Sequence, residues 1–321
     1  MRAVRLVDEP IIRPESHRSI GTNIQGPSLV RVPDWVESPL GRYYLYFADH
    51  KGRYIRLAYA DELAGPWAIH EPGSLQLGDS WFCTEPPELD DATYQSIAQG
   101  YEAALGESMP FEIRDDLVVP HIASPDVHVD DGSHTILMYF HGLEGVANQQ
   151  SRVATSSDGI NFAAGPELLG PSYFRVFRHG DWHYSLAMPG VVLRSADGRT
   201  GFAKGPTLFD TNMRHSAVRV RGDTLDVFWT KVTDAPERIY HSTVDIGGDW
   251  MTWSESQPVE VLRPERRWEG ASLDCAASRR GAVSWPVNQL RDPAIFAEDG
   301  RCYLLYAVAG ESGIAIAELH D

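Results

Sequence analysis

The hydrophobic positions of this chain come in short aromatic-rich runs separated by turn residues, and the runs recur as a unit. The unit is an apolar segment opened by a turn, usually with proline, then Gly or Asp-Gly, an aromatic-rich strand, and a polar strand ending near Asp and an aromatic. The first copy holds Gly26-Pro27-Ser28-Leu29-Val30, Gly41 to Phe47, Ile55 to Tyr59, and Asp61 to Trp67. The second holds Ser124-Pro125-Asp126-Val127, Asp131-Gly132, Ile136 to Phe140, Arg152 to Ala154, and Asp158-Gly159 with Phe162. The third opens at Gly170-Pro171-Ser172-Tyr173-Phe174 and continues through Trp182 to Leu186, Asp197-Gly198 and Phe202. The fourth has Arg214 to Val218, Leu225 to Trp229, Ile239 to Ser242, Trp250 and Trp253. The fifth has Arg291-Asp292-Pro293-Ala294-Ile295, Tyr303 to Tyr306, and Gly313 to Ala317.

Each copy supplies three or four short strands of β-branched and aromatic residues punctuated by turns, which is one antiparallel blade. Radial repetition of such blades makes a propeller. The expected fold is therefore all-β, a five-bladed β-propeller forming a single domain over 1–321. The blades fall at 20–80, 118–168, 169–210, 211–262 and 285–320. A β-sandwich is set aside because sandwiches do not repeat this way. Two stretches break the rhythm. Residues 84–117 include a short helical insertion near 90–106, and 262–285 form a long connection of the kind that often carries function. The first strand of each blade lines the central channel, so the residues that open those strands face its mouth.

At these residues the chain resembles the five-bladed propeller glycosidases, above all glycoside hydrolase family 43. The resemblance is carried by Ser124-Pro125-Asp126, Arg291-Asp292-Pro293 and the strand Tyr43-Tyr44-Leu45-Tyr46. It implies an active site at the axis with a base aspartate, an orienting aspartate and an acid glutamate, one from each of the first three blades. The chain departs from that pattern twice. Gln25-Gly26-Pro27-Ser28 stands where the base would precede proline, and Leu169-Gly170-Pro171 where the acid would precede Gly-Pro. The second-blade carboxylate carries over onto Asp126, and Asp292 occupies the same motif in the fifth blade.

Composition narrows the ligand. With 28 basic against 45 acidic residues the net charge is −17, a surface that repels phosphate backbones and anionic membranes. A neutral ligand, a cation or a metal fits better, a local basic pocket would accommodate an acidic sugar, and the resemblance implies a carbohydrate substrate; nucleic acid and membrane are not expected as partners. The three cysteines, Cys83, Cys275 and Cys302, are too few for a disulfide framework or cysteine zinc site and read as apolar fillers. No apolar run is long enough to span a membrane and no secretion signal is visible, so a cytoplasmic location is expected.

Glycoside hydrolysis usually needs two carboxyl groups. Asp126 and Asp292 open inner strands. Glu269 follows Trp268 in the long connection, where an aromatic neighbour would raise its proton affinity. These three are the catalytic candidates. His50, His121, His141 and His215 lie at strand ends or openings and are expected to gather at one channel mouth, binding substrate or relaying protons. Arg175, Arg214 and Arg291 recur near blade openings as clamps for a carboxylate or sugar hydroxyls, and Trp268 is a stacking candidate. No metal-ligand spacing is present, although a structural cation, calcium or sodium, in the channel is compatible with the fold. The leading expectation is an exo-acting glycosidase in which Asp126 and either Glu269 or Asp292 share the acid and base roles. The alternatives are a polysaccharide lyase, using His and Tyr for proton abstraction and Arg against a uronate, and a non-catalytic carbohydrate-binding propeller.

Overall fold

The computed structural model describes residues 1–105 and 113–320. Strand β1 (Arg2–Arg5) opens the chain and finds its partner only at the other end. The first blade is β2 (Gln25–Arg31), β3 (Tyr43–Ala48), β4 (Tyr54–Ala60) and β5 (Ala68–Gln76). Two helices follow, α1 (Asp91–Leu105) and α2 (Ile113–Asp116). Residue 106, the last of the expected helical insertion, lies outside the described residues. The second blade is β6 (Ile122–Asp130), β7 (Thr135–Gly145) and β8 (Asn148–Ser156), with two short strands, β9 (Ala163–Ala164) and β10 (Gly170–Pro171), both pairing with β8. The third is β11 (Arg175–His179), β12 (Trp182–Ala187), β13 (Val191–Ser195) and β14 (Ala203–Thr207). The fourth is β15 (Met213–Arg221), β16 (Thr224–Lys231), β17 (Ile239–Asp245) and β18 (Val259–Leu262). The fifth is β19 (Arg291–Glu298), β20 (Arg301–Ala307) and β21 (Ile314–His320), completed by β1 on its outer edge. The fold is a five-bladed β-propeller.

The aromatic-rich strands are apolar on both faces because each blade is sandwiched between two others. Strand side chains alternate faces with a period of two. In β3, Tyr44 and Tyr46 pack on second-blade residues such as Met138 and Phe140. Leu45 and Phe47 point the other way, onto Phe296, Leu305 and Ile316 of the fifth blade. The same logic joins the third and fourth blades through Tyr184, Leu186, Val227 and Trp229.

Ring closure comes from the first residues of the chain, which the repeat pattern did not include. β1 runs antiparallel to β21 in the register Arg2↔His320 to Arg5↔Ala317. Glu269, fully buried in the 3-10 turn Arg267–Glu269, fastens that strand. It accepts Arg5 Nε at 2.8 Å and Nη2 at 2.7 Å, the Tyr306 hydroxyl at 3.0 Å, and the amides of Glu265 and Arg266.

Gly170-Pro171 does not begin the third inner strand. It pairs with Gln150 and Ser151 on the outer side of the second blade, and the third inner strand starts after Tyr173. Among the cysteines only Cys302 is buried; Cys275 is exposed and Cys83 half-buried, and none of the three is in a disulfide. Among the described residues no helix is long and apolar enough to cross a membrane.

Candidate active site

The inner strands share a local irregularity, and it builds the site. The strand register slips between Gln25 and Ser28, Ala123 and Asp126, Met213 and Ser216, and Arg291 and Ala294. In three blades this bulge places one residue at positive φ, Gly26 (63°), Ser124 (51°) and Asp292 (47°), and Tyr173 (57°), just before β11, matches them. His215 fills the same interval in the fourth blade. Non-glycine residues rarely take this conformation, and such strain concentrates at functional sites. The result is a ring of Gly26, Ser124, Tyr173, His215 and Asp292 around the axis.

The ring explains why the first-blade carboxylate is missing. A Cβ on Gly26 would lie 3.0 Å from the Ser124 Cα, on top of the backbone cost of positive φ. The one carboxyl in the ring is that of Asp292, in the adjacent blade. Asp292 is fully buried and neither of its oxygens has a hydrogen-bond partner. The nearest charge-bearing group is His215 Nε2, 3.5 Å from Asp292 Oδ1, too poorly aligned for a hydrogen bond. The Asp292 backbone N–H donates to His215 Nδ1 at 3.3 Å, which assigns the imidazole proton to Nε2, facing the carboxyl. Burial, and then the negative charge of Glu311, push the Asp292 carboxyl up to about 7 against the pull of Arg214, Arg291 and His50.

The histidines extend from this carboxyl in an arc. Tyr173 lies between His215 and His141, with ring centroids 4.9 Å and 5.0 Å away. His121 meets His141 edge-on at 6.0 Å. His121 Nδ1 donates to the Val119 carbonyl at 2.7 Å, so its buried, unpartnered Nε2 carries a lone pair. His141 Nδ1 is also buried and unpartnered. Burial and the nearby Lys51 hold His121 down to about 3, and burial with the neighbouring imidazoles keeps His141 well below the usual histidine range. Burial, then the Arg214 and Arg291 charges, do the same for His215. All three are neutral near pH 7. His50, in the β3–β4 turn, is set by Glu311, its Nδ1 3.3 Å from Oε1. His215, His141 and His121 thus form one arc through Tyr173, with His50 beside Glu311.

Glu311 was not singled out from the sequence. It occupies, in the β20–β21 turn, the hairpin place that His50 holds in the first blade, and comparison of those turns was the available signal. Burial alone would raise its carboxyl, but His50, Arg291 (Nη1 at 2.7 Å) and Asn23 (Nδ2 at 2.7 Å) hold it well below the usual range. Glu237, also unforeseen, completes a buried network, 3.4 Å from both Arg214 and Arg291.

Other candidates are brought elsewhere. Asp126 lies two residues beyond the ring, in the axial channel with Ser28, Arg175, Ala217 and Ala294, a cavity of about 120 Å³. Its Oδ2 accepts His128 Nε2 and the Val176 amide, both at 2.8 Å. Burial would raise this carboxyl, but His128, Arg175 and that amide together hold it below its ordinary value. Arg175 crosses between this channel and the ring, donating to the carbonyls of Pro125 (2.8 Å) and Ser216 (2.9 Å). The channel widens toward His128, whose side chain is 38% exposed against 18% for Asp126 and 0% for Asp292. Asp126 thus lines the axial cavity, and Asp292 is not among the residues that line it. Glu269 is committed to Arg5 and Tyr306 in ring closure, and Trp268 packs on the core between the fourth and fifth blades. Neither joins the mouth. Arg214 and Arg291 are at the mouth but are occupied by Glu237, Glu311, Gln289 and the Arg279 and Gly281 carbonyls. Among the described residues no three His, Cys, Asp or Glu side chains are grouped as metal ligands, so these side chains do not by themselves form a calcium or sodium cage.

No family model matches the chain. Solved structures share its architecture at low identity. A GH43_1 enzyme from Xanthomonas citri superposes with a TM-score of 0.58 at 12% identity, covering 97% of this chain and 90% of its own. A GH43 β-xylosidase/α-arabinofuranosidase from a compost microbial metagenome, solved with xylotriose, gives 0.58 at 11% identity over 99% and 95%. An exo-1,5-α-L-arabinanase from a bovine ruminal metagenomic library gives 0.51 at 12% over 93% of each. These likenesses fix the fold, that of the GH43 propellers. In sequence, the chain is 35% identical to the uncharacterized protein R118 of Acanthamoeba polyphaga mimivirus over 92% of its own length and 83% of that protein's. With the ring-and-arc site set on a GH43-type propeller, the chain belongs to the same family as this mimivirus protein.

Proposed function

We propose that this protein is a carbohydrate-active hydrolase, an exo-acting glycosidase whose general base is Asp292. The observation that carries the reading is a fully buried carboxyl at the axial mouth with both oxygens unpartnered and a proton affinity raised to about 7. An enzyme poised near neutrality to move a proton needs such a group. Asp292 precedes Pro293 at the ring position where the family resemblance puts the base, one blade removed. As base it takes a proton from the water whose oxygen bonds to the anomeric carbon, while the glycosidic C–O bond breaks and the departing oxygen takes a proton from solvent. Glu311 stays ionised and keeps the Asp292 carboxylate basic. His215 accepts the Asp292 backbone N–H and so holds that residue's main chain, and the neutral imidazoles of His121 and His141 offer unpartnered nitrogens to substrate hydroxyls. The GH43 likeness supports a sugar as substrate at the level of the fold.

The lyase reading is weaker, because Arg175, Arg214 and Arg291 already bond to internal partners and have little left for a uronate. The test is release of reducing sugar from aryl xylosides and arabinosides, with Asp292→Asn as control. A hydrolase loses about 10²-fold or more in turnover with Asp292→Asn. An ultraviolet-absorbing unsaturated product would establish elimination instead. Binding of sugars without any product would establish the non-catalytic propeller.

A further inference from the structure

We propose that Trp285 is a sugar-stacking platform on the rim of the mouth, holding the saccharide unit next to the one at Asp292. The inference rests on the carbohydrate reading and extends it to a second subsite. The connection between the fourth and fifth blades is stapled to the site's own residues. Arg214 donates to the Arg279 carbonyl at 3.0 Å and Arg291 to the Gly281 carbonyl at 3.3 Å. Asn23 donates to the Val283 carbonyl at 3.2 Å, and the Val283 amide reaches Glu311 at 3.5 Å. The Val287 amide then bonds to the Ala309 carbonyl at 3.1 Å. Trp285 stands midway between those last two anchors. Two residues of chain span at most about 7 Å, so its backbone stays beside the Glu311 turn.

Its indole is 66% exposed. The other exposed tryptophans have partners: Trp81 donates to the Ala164 carbonyl at 3.0 Å, and Trp182 carries the Arg194 guanidinium 4.0 Å from its ring centroid. Trp285 has neither a hydrogen bond nor a ring contact among the described residues. Its backbone is held beside the site and its indole has no internal partner among the described residues, so the ring is available to a ligand. A flat π-face offers the C–H face of a sugar ring both apolar contact and electrostatic complementarity. The ligand class is a neutral oligosaccharide: its terminal unit enters the mouth and its next unit lies against the indole.

The experiment is calorimetric titration with xylose, arabinose, and their β-1,4-xylo- and α-1,5-arabino-di- and trisaccharides. All proteins carry Asp292→Asn to block turnover and are compared with and without Trp285→Ala or Trp285→Phe. We expect Trp285→Ala to weaken the preferred di- and trisaccharide about tenfold. Monosaccharide affinity should stay within twofold, and Trp285→Phe should recover most of the loss. Equal trisaccharide affinity with and without Trp285→Ala would overturn the platform while leaving the carbohydrate reading intact. Failure of the Trp285-containing protein to bind any of these sugars would overturn both.

Discussion

Removing the Glu269 side chain separates a structural role from a catalytic one. Glu269→Ala deletes an acceptor of five hydrogen bonds at a site with no exposure. Its loss takes one hydrogen bond from the buried Tyr306 hydroxyl, which keeps Arg5 beside it, at a cost of about 0.5–1.5 kcal/mol. Arg5 keeps Glu265 (2.9 Å) and the Arg263 carbonyl (3.1 Å), both on the exposed side. The guanidinium penalty therefore falls toward the low end of the roughly 3–5 kcal/mol seen when a buried pair is broken. Together these give a destabilisation of about 3–5 kcal/mol. At about 2–4 °C per kcal/mol for a large domain, the melting temperature should drop by about 6–20 °C. Arg5→Ala should cost at least as much, because it strands the buried carboxylate. The double variant should cost little more than the worse single one, since both break one latch. The assay is thermal unfolding followed by circular dichroism, with turnover measured well below the transition. An unchanged melting temperature would refute the latch. A folded Glu269→Ala protein with turnover lowered about 10²-fold would refute the reading that this carboxylate is structural, and would return Glu269 to the chemistry.

Five further outcomes follow from the ring and the channel. Asp292 is protonated more readily in the folded chain, at about 7, than in the unfolded chain, near 3.8. Its contribution to stability is full below pH about 4 and is lost as pH rises through 7. Asp292→Asn should thus melt higher than the wild type at pH 8, by at most about 4 kcal/mol of stability, with no gain at pH 4. A lower melting temperature at pH 8 would contradict this. As a base, Asp292 should give a kcat/KM that rises through an apparent pKa near 7. Glu311→Gln removes the negative charge that lifts Asp292, so it should move that limb to lower pH; a limb that stays put would refute the coupling. Asp126→Asn should keep turnover within about threefold in a glycoside assay, as befits a residue lining the axial cavity apart from Asp292, and a loss of about 10²-fold would put Asp126 back in the mechanism. Gly26→Asp should not install a second base. Its Cβ meets Ser124 at 3.0 Å and its φ is unfavourable, so a loss of about 1–3 kcal/mol is expected in urea unfolding, and wild-type stability would argue against the bulge constraint.

The blade count was legible because the physics that makes a blade is local. Alternation in Tyr43 to Phe47 and the turn residues after each strand suffice to write an antiparallel unit, and five copies close into a ring. Aspartate before proline at 292 and the histidines at strand ends were legible for the same reason, since a repeat fixes where each strand begins. What the sequence does not carry is which groups meet across blades. Arg5 and Glu269 are 264 residues apart and become a pair only when the ring closes. The phase of Gly170-Pro171 looked like an inner-strand opening, but strand pairing assigned it to the outer edge of the neighbouring blade. Asp126 and Asp292 occupy similar motifs, yet a two-residue offset along the axis separates them. One lines the axial cavity with His128, Arg175 and the Val176 amide as partners, and the other is fully buried with both oxygens unpartnered. Proton affinity depends on burial and on charges brought close by folding. The sequence could therefore nominate carboxylates, but the tertiary structure decided that Asp292, with Glu311 beside it, is the one held near neutrality.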